Sequence, residues 1–188
     1  MESKVEPAVK FGVLDAARAP YRYGHVYAVQ TRGGRKRLLI GPSQGHVELL
    51  RCLSECLPVP LKLLYVLVVP RSADHEPGRY ESPNLTRDQV EAFLSQHKRF
   101  FESDGRHHLW VASPDAGTIV YDRHDMLYAY GPIDEYIARL EEHGLRPGVV
   151  TVPRPHWHAY HAELDAEETA IVSHWQWLRK PLRESDQE

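Results

Sequence analysis

Two of the three histidines in "PRPHWHAYH", residues 153–161, stand one residue apart. In an extended strand side chains alternate, so His156, His158 and Tyr160 share one face while Trp157, Ala159 and His161 share the other. Two imidazoles on one face chelate a divalent ion such as zinc, provided a third and usually a fourth donor arrive from elsewhere. His156, His158 and, where the chain bends, His161 form the expected metal set. Further donors within the sequence are Glu163, Asp165, His107, His108, Asp122, His124 and Asp125. The competing expectation is that the rings cover one edge of a core and the imidazoles hydrogen-bond to backbone carbonyls.

The second constellation is "YDRHD", residues 121–125. A histidine flanked by carboxylates has its charged form favoured and suits general acid or base work, which makes Asp122, His124 and Asp125 the catalytic candidates. Arg123 beside them is able to clamp an anion. Asp and His are also ordinary residues of a polar tight turn.

A third place is the loop "PRSADHEPGRYESPNL", residues 70–85, longer than most connections in compact domains. Arg71, His75, Arg79 and Tyr80 are its expected contacts, because arginine and tyrosine are favoured at interfaces. A fourth is "TRGGRKR", residues 31–37, a basic hairpin tip. Such a tip can touch phosphates, but it also keeps a sheet edge from aggregating. Cys52 and Cys56 sit on or beside the apolar stripe of a helix, where a thiol is packing. Walker, G-x-G-x-x-G, H-E-x-x-H, G-x-S-x-G and C-x-x-C patterns are absent, which removes the common nucleotide-binding, zincin and serine-hydrolase readings.

The elements that must position these residues can be read in turn. Gly33-Gly34 separates two β-rich runs at about 22–30 and 36–40, a hairpin. His46, Leu49, Leu50, Leu53 and Leu57 repeat at helical spacing behind Ser43 as N-cap. "LKLLYVLVV" is apolar on both faces apart from Lys62, as in a central strand. Thr86 and Gln89 form a capping box ahead of Val90, Phe93, Leu94, His97 and Phe101. Three short β-rich runs around "PDAG" and "RHD" form a meander. Pro132 opens a helix that Gly144 ends, "GVVTVP" is a further strand, and Asp165 with Glu168 caps a last helix striped by Ile171, Trp175 and Leu178. The fold class is α+β, ββαβαβββαβα, with about seven strands in a mixed or mostly antiparallel sheet and about four helices.

The chain of 188 residues fits one domain, 1–188, with ends 1–9 and 183–188 expected to be flexible. A domain this long buries roughly 70% of the surface its unfolded chain exposes, so it needs no disulfide or metal to fold. Its longest apolar run, Leu63 to Val69, is far short of the ~20 residues of a membrane span. "MESKVEPAVK" lacks the apolar centre of a signal peptide, and two cysteines in one helix form no disulfide framework, so a cytoplasmic setting is expected. Residues 1–60 hold nine Lys/Arg against five Asp/Glu, and residues 131–188 six against eleven. That gradient is too small to point to nucleic acid.

These features favour a non-enzymatic binding or regulatory protein that meets a protein partner or small ligand through the 70–85 loop. The alternative is a metal-dependent hydrolase built on His156 and His158. The weakest is a nucleic-acid-binding module using the 31–37 tip.

Overall fold

The computed structural model describes residues 9–186; residues 1–8 and 187–188 of the expected flexible ends lie outside them. The described residues are mixed α and β, with five α-helices, a nine-stranded sheet and a separate two-stranded sheet among them. In chain order the elements are β1 (Phe11–Val13), β2 (Val26–Arg32), β3 (Arg35–Gly41), α1 (His46–Ser54), β4 (Lys62–Leu67), β5 (Gly78–Glu81), α2 (Arg87–Gln96), α3 (Lys98–Ser103), β6 (His107–Ser113), β7 (Gly117–Tyr121), β8 (Leu127–Tyr130), α4 (Ile133–Glu142), β9 (Arg146–Pro147), β10 (His156–His158), α5 (Asp165–Val172) and β11 (Leu178–Lys180). The large sheet runs β11-β5-β4-β6-β7-β8-β3-β2-β9 and is antiparallel except for the short β2–β9 pair. No helix among the described residues is long and apolar enough to cross a membrane.

The elements with strong local signals form as the sequence predicts. Gly33 and Gly34 take φ of 58° and 76°, the left-handed values a two-residue hairpin requires. β6, β7 and β8 are the meander, and Thr86 and Gln89 make a reciprocal capping box. Alternation along β3 then divides the interior. Leu38 and Ile40 point into the main core, where α1, α2, α3 and α4 cover one face of the sheet, while Leu39 points into a smaller cluster with Phe11, Tyr23, Met126 and Val150. The smaller cluster includes Phe11 of the β1–β10 ribbon.

Several expectations are corrected. The helix after the capping box is two, broken at His97 (φ −102°, ψ 13°). "GVVTVP" forms no strand; only Arg146–Pro147 pairs, alongside β2, and Val149 is exposed. Ser43 does not cap α1: Gly45 occupies that position in a left-handed conformation, and the Glu102 carboxylate takes the Val47 amide at 2.9 Å. Asp165 is the first residue of α5 rather than its cap, and it bonds Arg71 and Tyr160 instead. α5 stops at Val172, so Trp175 lies beyond it and Leu178 belongs to β11. Within 183–186, residues 183–185 are exposed, while Asp186 is buried against Arg79 and its backbone carbonyl lies 3.0 Å from His108 Nε2.

Candidate metal centre

The tight turn between β7 and β8 is shaped by one carboxylate. Asp122 Oδ1 accepts the backbone amides of His124 (2.9 Å) and Met126 (3.1 Å), and the Asp122 amide donates to the Met126 carbonyl at 2.9 Å. Asp125 closes the turn with φ 62°. The His124 ring is thereby turned toward the ribbon, while its backbone carbonyl accepts the Tyr23 hydroxyl at 3.0 Å.

β10 supplies the other rings. It pairs antiparallel with β1, His156 opposite Val13 and His158 opposite Phe11. Alternation sends Trp157 to the far side, where its indole donates to the Val13 carbonyl at 3.0 Å. Two glycines allow this seating. A Cβ on Gly12 would stand 2.4 Å from the Ala19 carbonyl oxygen, and one on Gly105 would stand 2.7 Å from His158 Cβ and 2.8 Å from the Lys10 carbonyl oxygen.

His124, His156 and His158 therefore converge, with one ring nitrogen from each within 4.8 Å of the others. Their ring centroids are 4.9, 5.1 and 5.1 Å apart. The fully buried Phe11 ring lies 5.8–6.2 Å from all three and walls the group on the interior side. Each Nδ1 already has an acceptor: Asp122 Oδ2 for His124 (3.0 Å), the Pro153 carbonyl for His156 (3.0 Å) and the Arg123 carbonyl for His158 (3.1 Å). Carbonyls and an ionised carboxylate only accept, so Nδ1 carries the proton in each ring and Nε2 is left with its lone pair. Nε2 of His124 and of His158 is buried with no hydrogen-bond partner.

The electrostatics favour the neutral ring at His158 and the charged carboxylate at Asp122. Burial, helped by the Arg123 guanidinium and the two neighbouring imidazoles, pushes the His158 pKa down to about 3. Burial works against the Asp122 charge, yet the His124 side chain, nearby His108 and the Met126 amide outweigh it and hold its carboxyl below the usual range. An imidazole whose distal nitrogen is fixed by a carboxylate or carbonyl is the arrangement that orients metal-binding histidines.

The remaining sequence candidates go elsewhere. His161 lies outside the trio, with Nδ1 3.8 Å from Glu163. His107 is buried, stacked on Phe100, and His108 is buried beside Asp186; burial lowers both to about 4. Asp125 accepts the Tyr121 hydroxyl at 2.6 Å and lies 3.5 Å from His46, on a separate cleft of about 180 Å³ bounded by Tyr21, Tyr23 and His46. In the 70–85 loop, Arg71 joins Asp104 and Asp165, Arg79 joins Asp186, and the Tyr80 hydroxyl donates to the Glu76 carbonyl at 2.6 Å. His75 bonds Glu168 at 3.0 Å. The Arg71, Arg79 and Tyr80 side chains are thus committed to the interior.

The sequence offers His124 among the further donors but favours His161 or Asp125 to complete the shell. Sequence reasoning did not find Phe11, the Pro153 carbonyl or Arg154, which borders an open depression with Arg123, Pro155 and His156. No protein-family model, curated protein or solved structure matches this chain, so what it can do is read from this geometry alone.

Proposed function

We propose that His124, His156 and His158 hold one divalent ion such as zinc through their Nε2 atoms, and that the chain is a metal-dependent hydrolase. The observation that carries the proposal is that three imidazoles converge while all three Nδ1 atoms are engaged by acceptors behind them. Packing alone explains one such ring. Buried, unpartnered ring nitrogens also occur singly at His46, His97, His107 and His161; what is particular to this group is that three ring nitrogens from separate chain positions meet within 4.8 Å, two of them buried Nε2 atoms without a partner.

Three protein ligands leave a position for water, as in catalytic rather than structural zinc sites, and a bound divalent ion brings the pKa of that water toward ~7. This chain contributes the orientation of the rings, the dry Phe11 wall and the open depression at His156 through which substrate reaches the ion. The test is elemental analysis of untagged protein, prepared without chelators, beside His124→Ala and His158→Ala. One equivalent of metal in the parent chain, lost in both variants with circular dichroism unchanged, supports the centre; no metal in the parent chain, or full content in the variants, sinks it.

A further inference from the structure

We propose that the face of the large sheet turned away from the main core binds single-stranded nucleic acid, its bases stacked on Trp110, Tyr128 and Tyr130 and its phosphates met by Arg32, Arg35 and Arg37. This surface shares no residue with the histidine cluster. Strand register builds it. Leu64 pairs with Trp110, Trp110 with Val120, Val120 with Tyr128 and Tyr128 with Leu39, a row across five strands whose side chains point away from the main core. The smaller cluster covers the Leu39 end, and Tyr128 borders it. Beyond the other end Arg79, held by Asp186, lies 5.0 Å from the Trp110 ring centroid. Between these limits Leu64, Trp110 and Tyr128 are half-buried, and Tyr130, two residues along β8 on the same face, is 36% exposed.

The charges and the rings together decide the class of ligand. Arg32 pairs with Arg35 at the hairpin tip, and alternation along β3 puts Arg35 and Arg37 on the same face as Leu39. Arg32 and Arg35 are exposed, and Arg37 hydrogen-bonds only the Gln30 amide oxygen and the Tyr130 hydroxyl. None of the three meets a carboxylate among the described residues. The Arg37 guanidinium lies 5.2 Å from the Tyr128 ring centroid, so the basic part of the face begins where the aromatic part ends. Glu81, on the same face, is already paired with Lys62 and Lys180. A net charge of −3 over the whole chain conceals this local excess. The rings stand about 7 Å apart along β8 and about 10 Å apart across β7, against ~3.4 Å between stacked bases of a duplex. Each ring therefore takes the face of one splayed base, whereas paired bases offer no such face and an acidic peptide leaves the rings unused.

The test is fluorescence anisotropy of the full chain with a labelled oligothymidylate of about twelve nucleotides, with its duplex on oligoadenylate, and with labelled polyglutamate. Binding of the single strand is expected, with log affinity falling against log salt at a slope of about −2, as for three neutralised phosphates. Arg35→Gln is expected to make that slope shallower by about 0.7, and Tyr130→Ala to weaken binding about fivefold or more with the slope unchanged. Arg35 is exposed and carries the test if Tyr130→Ala folds poorly. The inference is overturned by no binding at about 50 mM salt, by duplex or polyglutamate bound as tightly as the single strand, or by either folded variant binding like the parent. Each of these results leaves the metal reading untouched.

Discussion

The Asp122 carboxylate is shared between the backbone and the ring of His124: Oδ1 takes the His124 amide at 2.9 Å while Oδ2 takes His124 Nδ1 at 3.0 Å. One side chain thus shapes the turn and selects the tautomer of the histidine it presents. Asp122→Asn separates the two tasks. The amide keeps one oxygen for the turn but turns an N–H toward Nδ1, which drives the ring proton to Nε2 and occupies the lone pair. Metal affinity is expected to fall about 10–100-fold. Competition with a chromogenic chelator reads this directly, and affinity equal to the parent's would show that the carboxylate serves the turn alone.

Gly105→Ala tests whether the ribbon must approach so closely. The new methyl would meet His158 Cβ at 2.7 Å and the backbone oxygen of Lys10 at 2.8 Å, so the ribbon has to move outward. A loss of about 1–3 kcal/mol is expected in urea unfolding, together with weaker metal retention. Unchanged values for both would mean that the ribbon shifts freely.

Arg79 and Asp186 form a buried ion pair, their side chains 7% and 4% exposed. Arg79→Ala leaves the Asp186 charge buried without its partner, and the expected cost is about 3–5 kcal/mol. A surface contact residue would cost nothing. Denaturant midpoints of the variant, and of a chain ending at residue 182, separate the two roles.

Stability is expected to fall as pH drops below about 6.5. His107 and His108 are held near 4 by burial, so between pH 4 and 6.5 the unfolded chain binds protons that the folded chain refuses. Unfolding is therefore favoured as pH falls through that window, and the depressed carboxyls of Asp104 and Asp122 continue the trend below it. The urea midpoint at pH 5 should lie below that at pH 7; an equal or higher value would contradict the burial of these rings.

What the sequence disclosed follows from the reach of its signals. The hairpin, the meander and the capping box each announce themselves within a few residues, and each is present. β1, β5, β10 and β11 span only three or four residues, too few for alternation to show, and they exist because a partner strand is there to receive them. Alternation did place His156 and His158 on one face. Proximity along the chain favours His161 as a third ring, whereas the sheet brings His124 beside the pair from 32 positions before His156. His156 and His158 do bond to backbone carbonyls, as the packing alternative held, but with one nitrogen each, and His124 bonds the Asp122 carboxylate instead.

The pairing of Phe11 with His158 has a meaning in time. The centre joins the start of the chain, its middle and a strand near its end, so a nascent polypeptide halted before residue 158 has His124 in hand and nothing to complete it. A two-stranded ribbon of three residues per strand holds poorly by itself and must wait for the large sheet to receive it. Long-range pairings of this kind form late. Folding therefore has an order: the scaffold first, the seam between the two distant segments next, and the three-histidine cluster last.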